Sequence, residues 1–186
     1  MKQSLSSKNA HLRAATLRIA RFHFLYVGLF AIQTIVFHAS KVITPELLLK
    51  RWLAAAILAL ITGLVWFVAK NRNSLAATYQ IAIWGIIFAD LAFAAFNVYT
   101  QRGYASKSVL LFIIPIIVAS VLVNRTALYA TALLAGIAYS TTAITYFVLN
   151  FNEGYSAELY AEIGLHSGLF FIIAGLLWAS THKHKA

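Results

Sequence analysis

The chain has 186 residues, of which 61% are hydrophobic and 11% charged, and its mean hydropathy is +0.79. Soluble domains are about half apolar and about a quarter charged, so this composition excludes an ordinary soluble fold and predicts an integral membrane protein. The net charge of +10 does not indicate nucleic-acid binding, because Lys and Arg flank long apolar runs instead of covering one solvated face. Cysteine is absent, which excludes thiolate metal sites.

Six long apolar runs predict six transmembrane helices. They cover residues 19–40, 49–70, 76–99, 108–123, 126–149 and 157–181. Because one span needs roughly 20 residues, the predicted bundle uses nearly the whole chain. We therefore expect an all-α polytopic membrane protein with a basic N-terminal segment at 1–18, a six-helix transmembrane domain at 19–181 and a short cytoplasmic tail at 182–186.

The distribution of Lys and Arg predicts the orientation of the bundle, because short cytoplasmic loops carry an excess of basic residues. With a cytoplasmic N-terminus, ten of the 15 basic residues flank the inner ends of the helices and the others flank the outer ends. This bias of about two to one favours a cytoplasmic N-terminus and, with six spans, a cytoplasmic C-terminus. Four acidic residues then lie at outer ends: Glu46, Glu153, Glu158 and Glu162.

The two prolines mark expected breaks in helical structure. Pro45 follows the first span and biases Thr44 away from the helical conformation. Pro115 lies inside the fourth apolar run and predicts a kink near the middle of the membrane. We treat Pro115 as a candidate hinge.

Asp90 interrupts the third apolar run and is the first candidate for function. A carboxylate at the centre of a span costs about 2.5–3.5 kcal/mol on insertion scales, so it normally faces the bundle interior. From the helical rise, Asp90 lies roughly 14 Å and His166 roughly 12 Å below the outer ends of their helices. If these helices are neighbours, the two side chains form a pair whose charge responds to protons or to a ligand. The structural alternatives are a protonated Asp90 bonded to Ser, Thr or Tyr, and a His166 that donates to a carbonyl or a Tyr.

Other polar side chains extend this candidate site. Gln33 on the first helix and Asn97 on the third lie in the same outer half as Asp90. Helices five and six contribute further polar residues: Thr141, Thr142, Thr145, Tyr146 and Glu162. We expect a polar pocket that opens outward and senses a ligand or protons, although every helix end carries some polar residues.

Metal, haem and catalytic sites are not indicated by the sequence. His23, His38 and His166 lie at different depths, whereas a bis-histidine haem needs two histidines at matched depth. The sequence contains no H-E-x-x-H, no G-x-S-x-G and no glycine-rich phosphate loop. We therefore expect no metal or other cofactor, no catalytic residue and no nucleic-acid partner.

About half of the chain carries a further pattern, from Asp90 through residues 99–108 (YTQRGYASKS), 112–121 (FIIPIIVASV) and the turn at 124–126 to an alanine-rich stretch at 127–139. This pattern resembles the membrane input region of six-helix bacterial sensor histidine kinases of the type-IV-pilus regulator kind. In that family a helix-three Asp precedes a glycine-containing loop, a kinked Leu-Pro-Ile-like helix and an alanine-rich fifth helix. This sequence carries no kinase core, and His182 and His184 lack the Glu and Pro of the phospho-acceptor box.

The resemblance implies a non-catalytic sensory module of the bacterial inner membrane, which passes an extracytoplasmic or membrane-borne signal to its sixth helix. It also implies a homodimer and a cytoplasmic signalling partner, and it makes Pro115 and the Asp90 region the parts that change conformation. The residues themselves leave a second function open. Asp90 and His166 are also the residues that a small transporter or channel would use to move protons or cations.

Overall fold

The computed structural model describes residues 2–71, 74–101, 103, 106–151 and 156–182, with side chains described from residue 9 to residue 181 of these ranges. In this part of the chain every regular element is helical: α1 Lys2–Ala39, α2 Pro45–Lys70, α3 Ala76–Thr100, a 3-10 helix Lys107–Phe112, α4 Ile113–Ser120, α5 Arg125–Phe151 and α6 Ala157–His182. The predicted tail beyond residue 182 and parts of the predicted turns, at 72–73, 102, 104–105 and 152–155, lie outside the described residues.

Five helices, α1, α2, α3, α5 and α6, are long and apolar enough to cross a membrane. Their exposed faces carry large apolar side chains, such as Leu53, Leu60 and Phe67 on α2. Contiguous apolar surface of this kind is unfavourable in water and suits contact with lipid tails. The structure therefore agrees with an all-helical integral membrane protein, whereas the count of six spans is not confirmed.

The fourth predicted span is shorter and less regular than expected. Instead of one helix over 108–123, the chain forms the six-residue 3-10 helix and then the eight residues of α4. A proline inside a continuous α-helix clashes with the carbonyl four residues before it, here Leu111, whereas a proline in the first turn is tolerated. Because α4 begins at Ile113, Pro115 lies in that first turn and not at a kink in mid-helix. The two elements together rise about 24 Å, less than the hydrocarbon layer of about 30 Å.

The chain divides into two compact units, Met1–Ile86 and Ile87–Ala186. In the first unit α1 and α2 form an antiparallel hairpin, as three contacts between them indicate. Arg13 Nε donates to the carbonyl of Ala69 at 3.1 Å, His23 Nδ1 lies 3.4 Å from Thr62 Oγ1, and Arg51 Nε donates to Thr34 Oγ1 at 3.1 Å. Residues later in α1 contact residues earlier in α2, so the two helices run in opposite directions.

The first helix begins far earlier than predicted. It has 38 residues, about 57 Å of helix, and includes both the basic segment at 1–18 and the first predicted span. No proline or glycine precedes Gly28, so nothing in the sequence ends the helix near residue 18. Its buried residues follow one face of the helix, with adjacent pairs at 15–16 and 19–20, and pack against α2: Leu12, Ala15, Thr16, Ile19, Ala20, His23, Phe30 and Thr34. The predicted boundary at 18–19 is therefore not a boundary of secondary structure.

In the second unit α5 and α6 pack closely along their lengths because small residues lie at the contact. A Cβ on Gly136 would lie 3.5 Å from Ser167 Oγ, and a Cβ on Gly175 would lie 3.5 Å from Tyr129 Oη. The 3-10 helix and α4 pack against this pair. Side chains three residues apart share one side of a 3-10 helix, and Val109 and Phe112 are accordingly both buried.

The loop after α3 depends on Gly103, which gives the first testable prediction. Its φ is +62°, and a Cβ there would lie 2.6 Å from Cδ1 of Tyr146 on α5. We expect Gly103→Ala to lower the free energy of unfolding by about 1–3 kcal/mol, because a side chain is disfavoured in the left-handed region and the tyrosine ring must also move. Denaturant unfolding in detergent micelles measures this change.

Gly164→Ala on α6 is the matched control, since its φ is not left-handed and no atom lies within 4 Å of the added Cβ. Alanine favours helices over glycine by up to about 1 kcal/mol, so this variant should be as stable as the parent or more stable. An equal loss of stability in both variants would contradict the role assigned to Gly103.

Candidate functional site

An open groove of about 490 Å³ lies in the second unit, between the start of the 3-10 helix and the first turns of α6. Its lining combines charged, polar and apolar side chains: Ser106, Lys107, Val109, Leu110, Glu158, Glu162 and His166. Small-molecule sites have volumes of about 300–1,000 Å³ and carry a few polar groups on a largely apolar lining. The groove has this size and this mixture, and it contains His166, one of the residues singled out in the sequence.

His166 is oriented by its own helix. Its Nδ1 lies 2.8 Å from the carbonyl oxygen of Glu162, one turn earlier, and 3.4 Å from Oε2 of the same residue. A carbonyl oxygen accepts only, so we assign the proton of the neutral imidazole to Nδ1. Nε2 then carries the lone pair. With its side chain 21% exposed, the ring lines the groove and also touches the interior.

An aromatic cluster lies beneath His166 and joins three helical elements. Its four rings are Phe112 of the 3-10 helix, Tyr139 of α5, and His166 and Phe170 of α6. The centroid of Tyr139 is 5.4 Å from that of His166, 6.0 Å from that of Phe112 and 6.2 Å from that of Phe170, in each case edge to face. The Tyr139 hydroxyl lies 3.4 Å from Nδ1 of His166. His166 is therefore connected to the end of the 3-10 helix through Tyr139, whose ring contacts both His166 and Phe112.

Asn97 belongs to a chain of hydrogen bonds that ends at the groove. Its Nδ2 donates to the carbonyl of Phe93 at 2.9 Å, and its Oδ1 accepts from Gln101 Nε2 at 3.4 Å. Gln101 Oε1 accepts from the hydroxyl of Ser108 at 2.9 Å, and the amide of Ser108 donates to Ser106 Oγ at 3.0 Å. Asn97 thus anchors the wall of the groove from α3 and does not itself line it.

Asp90 is buried in α3, with only 2% of its surface exposed, as expected for a carboxylate that avoids lipid. The sequence-based pairing of Asp90 with His166 does not appear among the contacts of His166 in the described residues. His166 instead has the partners of the structural alternative, a carbonyl and a tyrosine, supplied by Glu162 and Tyr139. The sensing roles assigned to Asp90 and His166, and the hinge role of Pro115, stay predictions.

Gln33 lies in the first unit, in a cluster that the sequence did not reveal. Its Oε1 accepts from a terminal nitrogen of Arg51 at 2.9 Å, while Arg51 Nε donates to Thr34. The guanidinium carbon also lies 4.4 Å from the ring centroid of Phe30 and 5.2 Å from that of Phe37. Arg51 is only 1% exposed, so its cation is held by neutral acceptors and two aromatic faces.

Helical spacing could have identified Arg51. The buried residues of α2 are Arg51, Ala55, Leu58, Thr62, Val65 and Ala69, at intervals of three or four. Arg51 is therefore in phase with the stripe that packs against α1, whereas the adjacent Lys50 is exposed and pairs with Glu46 at 2.6 Å. Tyr139 gave no comparable signal, because it lies in an alanine-rich run in which no residue suggests a partner on α6.

Metal binding finds no support in the described residues, among which no three His, Cys, Asp or Glu side chains are grouped to hold an ion. Comparison with known proteins gives no relative, since no family model, curated protein or solved structure matches the chain. The resemblance to a sensor-kinase input region therefore stays a prediction. The function is therefore inferred from the geometry of the groove and of the Arg51 cluster.

The Arg51 cluster gives the second testable prediction. Arg51→Lys keeps the charge, but its single nitrogen cannot occupy both positions from which Nε and a terminal nitrogen of the planar guanidinium donate to Thr34 and Gln33. We expect the loss of a hydrogen bond from a charged donor to lower the free energy of unfolding by about 1.5–3 kcal/mol, measured by denaturant unfolding in micelles.

Lys50→Arg is the matched control, since the neighbouring side chain is exposed and its pairing with Glu46 tolerates either cation. This variant should unfold like the parent. If the free energy of unfolding of Arg51→Lys also equals that of the parent, the two hydrogen bonds of the buried guanidinium do not stabilise the packing of α1 against α2.

Proposed function

We propose that this chain is a membrane sensory module without catalysis of its own, which receives a signal at the groove. The observation that supports this proposal is that one side chain, His166, contacts both the groove and the protein interior. His166 lines the groove, lies 3.4 Å from the buried hydroxyl of Tyr139 and belongs to the cluster that includes Phe112. Phe112 in turn ends the 3-10 helix, three residues before Pro115.

In this proposal, occupation of the groove changes the hydrogen bonds of His166 and with them the packing of Tyr139 and Phe112. The backbone changes conformation at the junction between the 3-10 helix and α4. The hydrogen-bond pattern of the helix changes there, and Pro115 donates no backbone hydrogen bond. The other responding element is α6, which continues about 24 Å beyond His166. In the resembling family the corresponding helix leads to the output domain, and a homodimer with a cytoplasmic signalling partner belongs to the proposal.

The proposed topology places both ends of the chain in the cytoplasm of a bacterium and the groove at the outer surface of the inner membrane. It requires the 3-10 helix and α4 to complete a sixth crossing. The 3-10 conformation makes this segment longer, because it rises about 2.0 Å per residue whereas an α-helix rises about 1.5 Å. The excess of basic residues at the predicted inner ends supports the same orientation.

Single cysteines test this topology, because the chain contains none of its own. Ala10→Cys and Ser180→Cys introduce thiols at exposed positions near the two ends. We expect both to resist a membrane-impermeant maleimide in intact cells and to react after permeabilisation. Labelling of residue 180 in intact cells while residue 10 remains protected would mean five crossings and would place the ends on opposite sides.

The second candidate function is a small transporter or channel for protons or cations, and the burial of Asp90 is the observation that favours it. A carboxylate that is 2% exposed within an apolar helix is costly and is often part of an ion pathway. His166 would be the second polar residue of that pathway.

Flux through reconstituted vesicles separates the two functions. We expect vesicles that contain the protein to dissipate proton and potassium gradients no faster than empty vesicles, as a pH-sensitive and a potassium-sensitive dye report. Flux that appears with the parent chain and disappears with Asp90→Asn would contradict the sensory function. Asn97→Asp, which adds a carboxylate on the same helix, controls for leaks that any charge in α3 produces.

A further inference from the structure

We propose that the groove binds a small organic molecule through an ammonium group. This inference rests on the proposed sensory function, for which it names the class of ligand. The chain carries a net charge of +10 and only five acidic residues, yet two of the five, Glu158 and Glu162, line this groove. Among the described lining residues these two carboxylates face a single Lys or Arg, Lys107.

The hydrogen-bonding capacity of the groove also favours a donor. Glu158, Glu162 and His166 follow one another at intervals of four residues, so they lie on one face of α6 about 6 Å apart. The Glu162 side chain is 41% exposed, and the carboxylates accept hydrogen bonds only. Nδ1 of His166 is occupied by the Glu162 carbonyl, which leaves Nε2 as the ring nitrogen available to a ligand. The two carboxylates make this face of α6 rich in hydrogen-bond acceptors.

The opposite wall sets the remaining features of the ligand. Val109 and Leu110 of the 3-10 helix line it and suit a short hydrocarbon group. Lys107 lies on the same wall, is exposed, and forms no ion pair with Glu158 or Glu162 in the part of the chain that the structure describes. The two carboxylates are therefore not neutralised by this lysine. An ammonium with three donors fits between the acceptors, and an alkyl chain of a few carbons fits against Val109 and Leu110.

A ligand that donates to Nε2 and Glu162 acts where the groove meets the interior. It holds the imidazole with Nδ1 against the Glu162 carbonyl, beside the Tyr139 hydroxyl. An anionic ligand is disfavoured by the two carboxylates. A bare metal ion is disfavoured because no three His, Cys, Asp or Glu side chains among the described residues are grouped closely enough to hold one.

The test uses the full chain in lipid nanodiscs and three probes of matched size, n-butylammonium, 1-butanol and butyrate. Ligand-observed NMR titration gives the dissociation constant of each probe. We expect saturable binding of n-butylammonium, with 1-butanol and butyrate at least tenfold weaker, since a charge-assisted hydrogen bond is worth about a factor of ten or more. Equal binding of butylammonium and 1-butanol, or no saturable binding of butylammonium, would overturn the site.

Three variants locate the binding. Glu162→Gln should weaken butylammonium binding about tenfold, and Lys107→Gln should strengthen it severalfold, because the first removes an attractive charge and the second a repulsive one. Glu46→Gln is the control, an exposed carboxylate on α2 that pairs with Lys50. Because Glu162→Gln and Lys107→Gln are expected to change the affinity in opposite directions, the test remains valid if one of these variants folds poorly. Weakening by Glu46→Gln equal to that by Glu162→Gln would show attraction to overall charge and would overturn the site.

A nitroxide on Ser180→Cys separates this inference from the sensory function. Residue 180 is exposed and lies in the last turn of α6, and the label is unique because the chain has no cysteine. Saturable butylammonium binding with a changed spectrum supports both proposals. Binding with an unchanged spectrum supports the site and contradicts the sensory function. Absence of binding contradicts the site, while the flux measurement still decides the sensory function.

Discussion

Pro115 has no amide hydrogen to donate, and in a continuous α-helix its ring occupies the space of the carbonyl four residues earlier. The chain therefore approaches α4 through a 3-10 helix, whose three-residue repeat buries Val109 and Phe112 together. Phe112 completes the aromatic cluster beneath His166, and Val109 with Leu110 forms one wall of the groove. The shape of the groove and its contact with the interior both follow from the backbone that this proline imposes.

Most helices were predictable, because they depend on long-range apolar composition and local stop signals. The ends predicted for α3 and α6 differ from the observed ones by a residue at most, and Thr44 is extended before Pro45 as its sequence requires. Two features were missed. The early start of α1 was hidden because its polar N-terminal part is not apolar enough to suggest a span, although nothing there breaks a helix. The fourth segment was misjudged because hydropathy does not distinguish a 3-10 helix from an α-helix.

Of the four predicted sensing residues, His166 lines the groove and Asn97 anchors its wall, whereas Asp90 and Gln33 are not among its described lining residues. His166 was identified because a polar group deep inside an apolar run is costly and requires a partner, while Glu162 and Asn97 were noted only as polar residues of the outer half. The partners depend on which helices are neighbours and how each is rotated, and a single sequence carries no measure of either. Depth along the helices predicts Asp90 as the partner of His166, and the structure places the Tyr139 hydroxyl 3.4 Å from the His166 ring, on a helix whose alanine-rich sequence gave no sign of this contact. The position of Arg51, in contrast, could have been inferred. Its spacing from the apolar residues of α2 places it on the buried face, although a charged residue is normally expected at the surface.

The length of α1 has a mechanical consequence. Membrane helices tilt by up to about 40°, and at that angle a layer of about 30 Å contains about 39 Å of helix. A rod of about 57 Å therefore projects from the hydrocarbon by about a third of its length. Arg13, about 17 Å along α1 from its start, is tied to the last turn of α2, while the exposed Arg18 and Arg21 lie nearer the middle of the helix. Braced in this way, the projecting part is a stiff lever, so that a small change of tilt within the bilayer becomes a larger displacement of its tip.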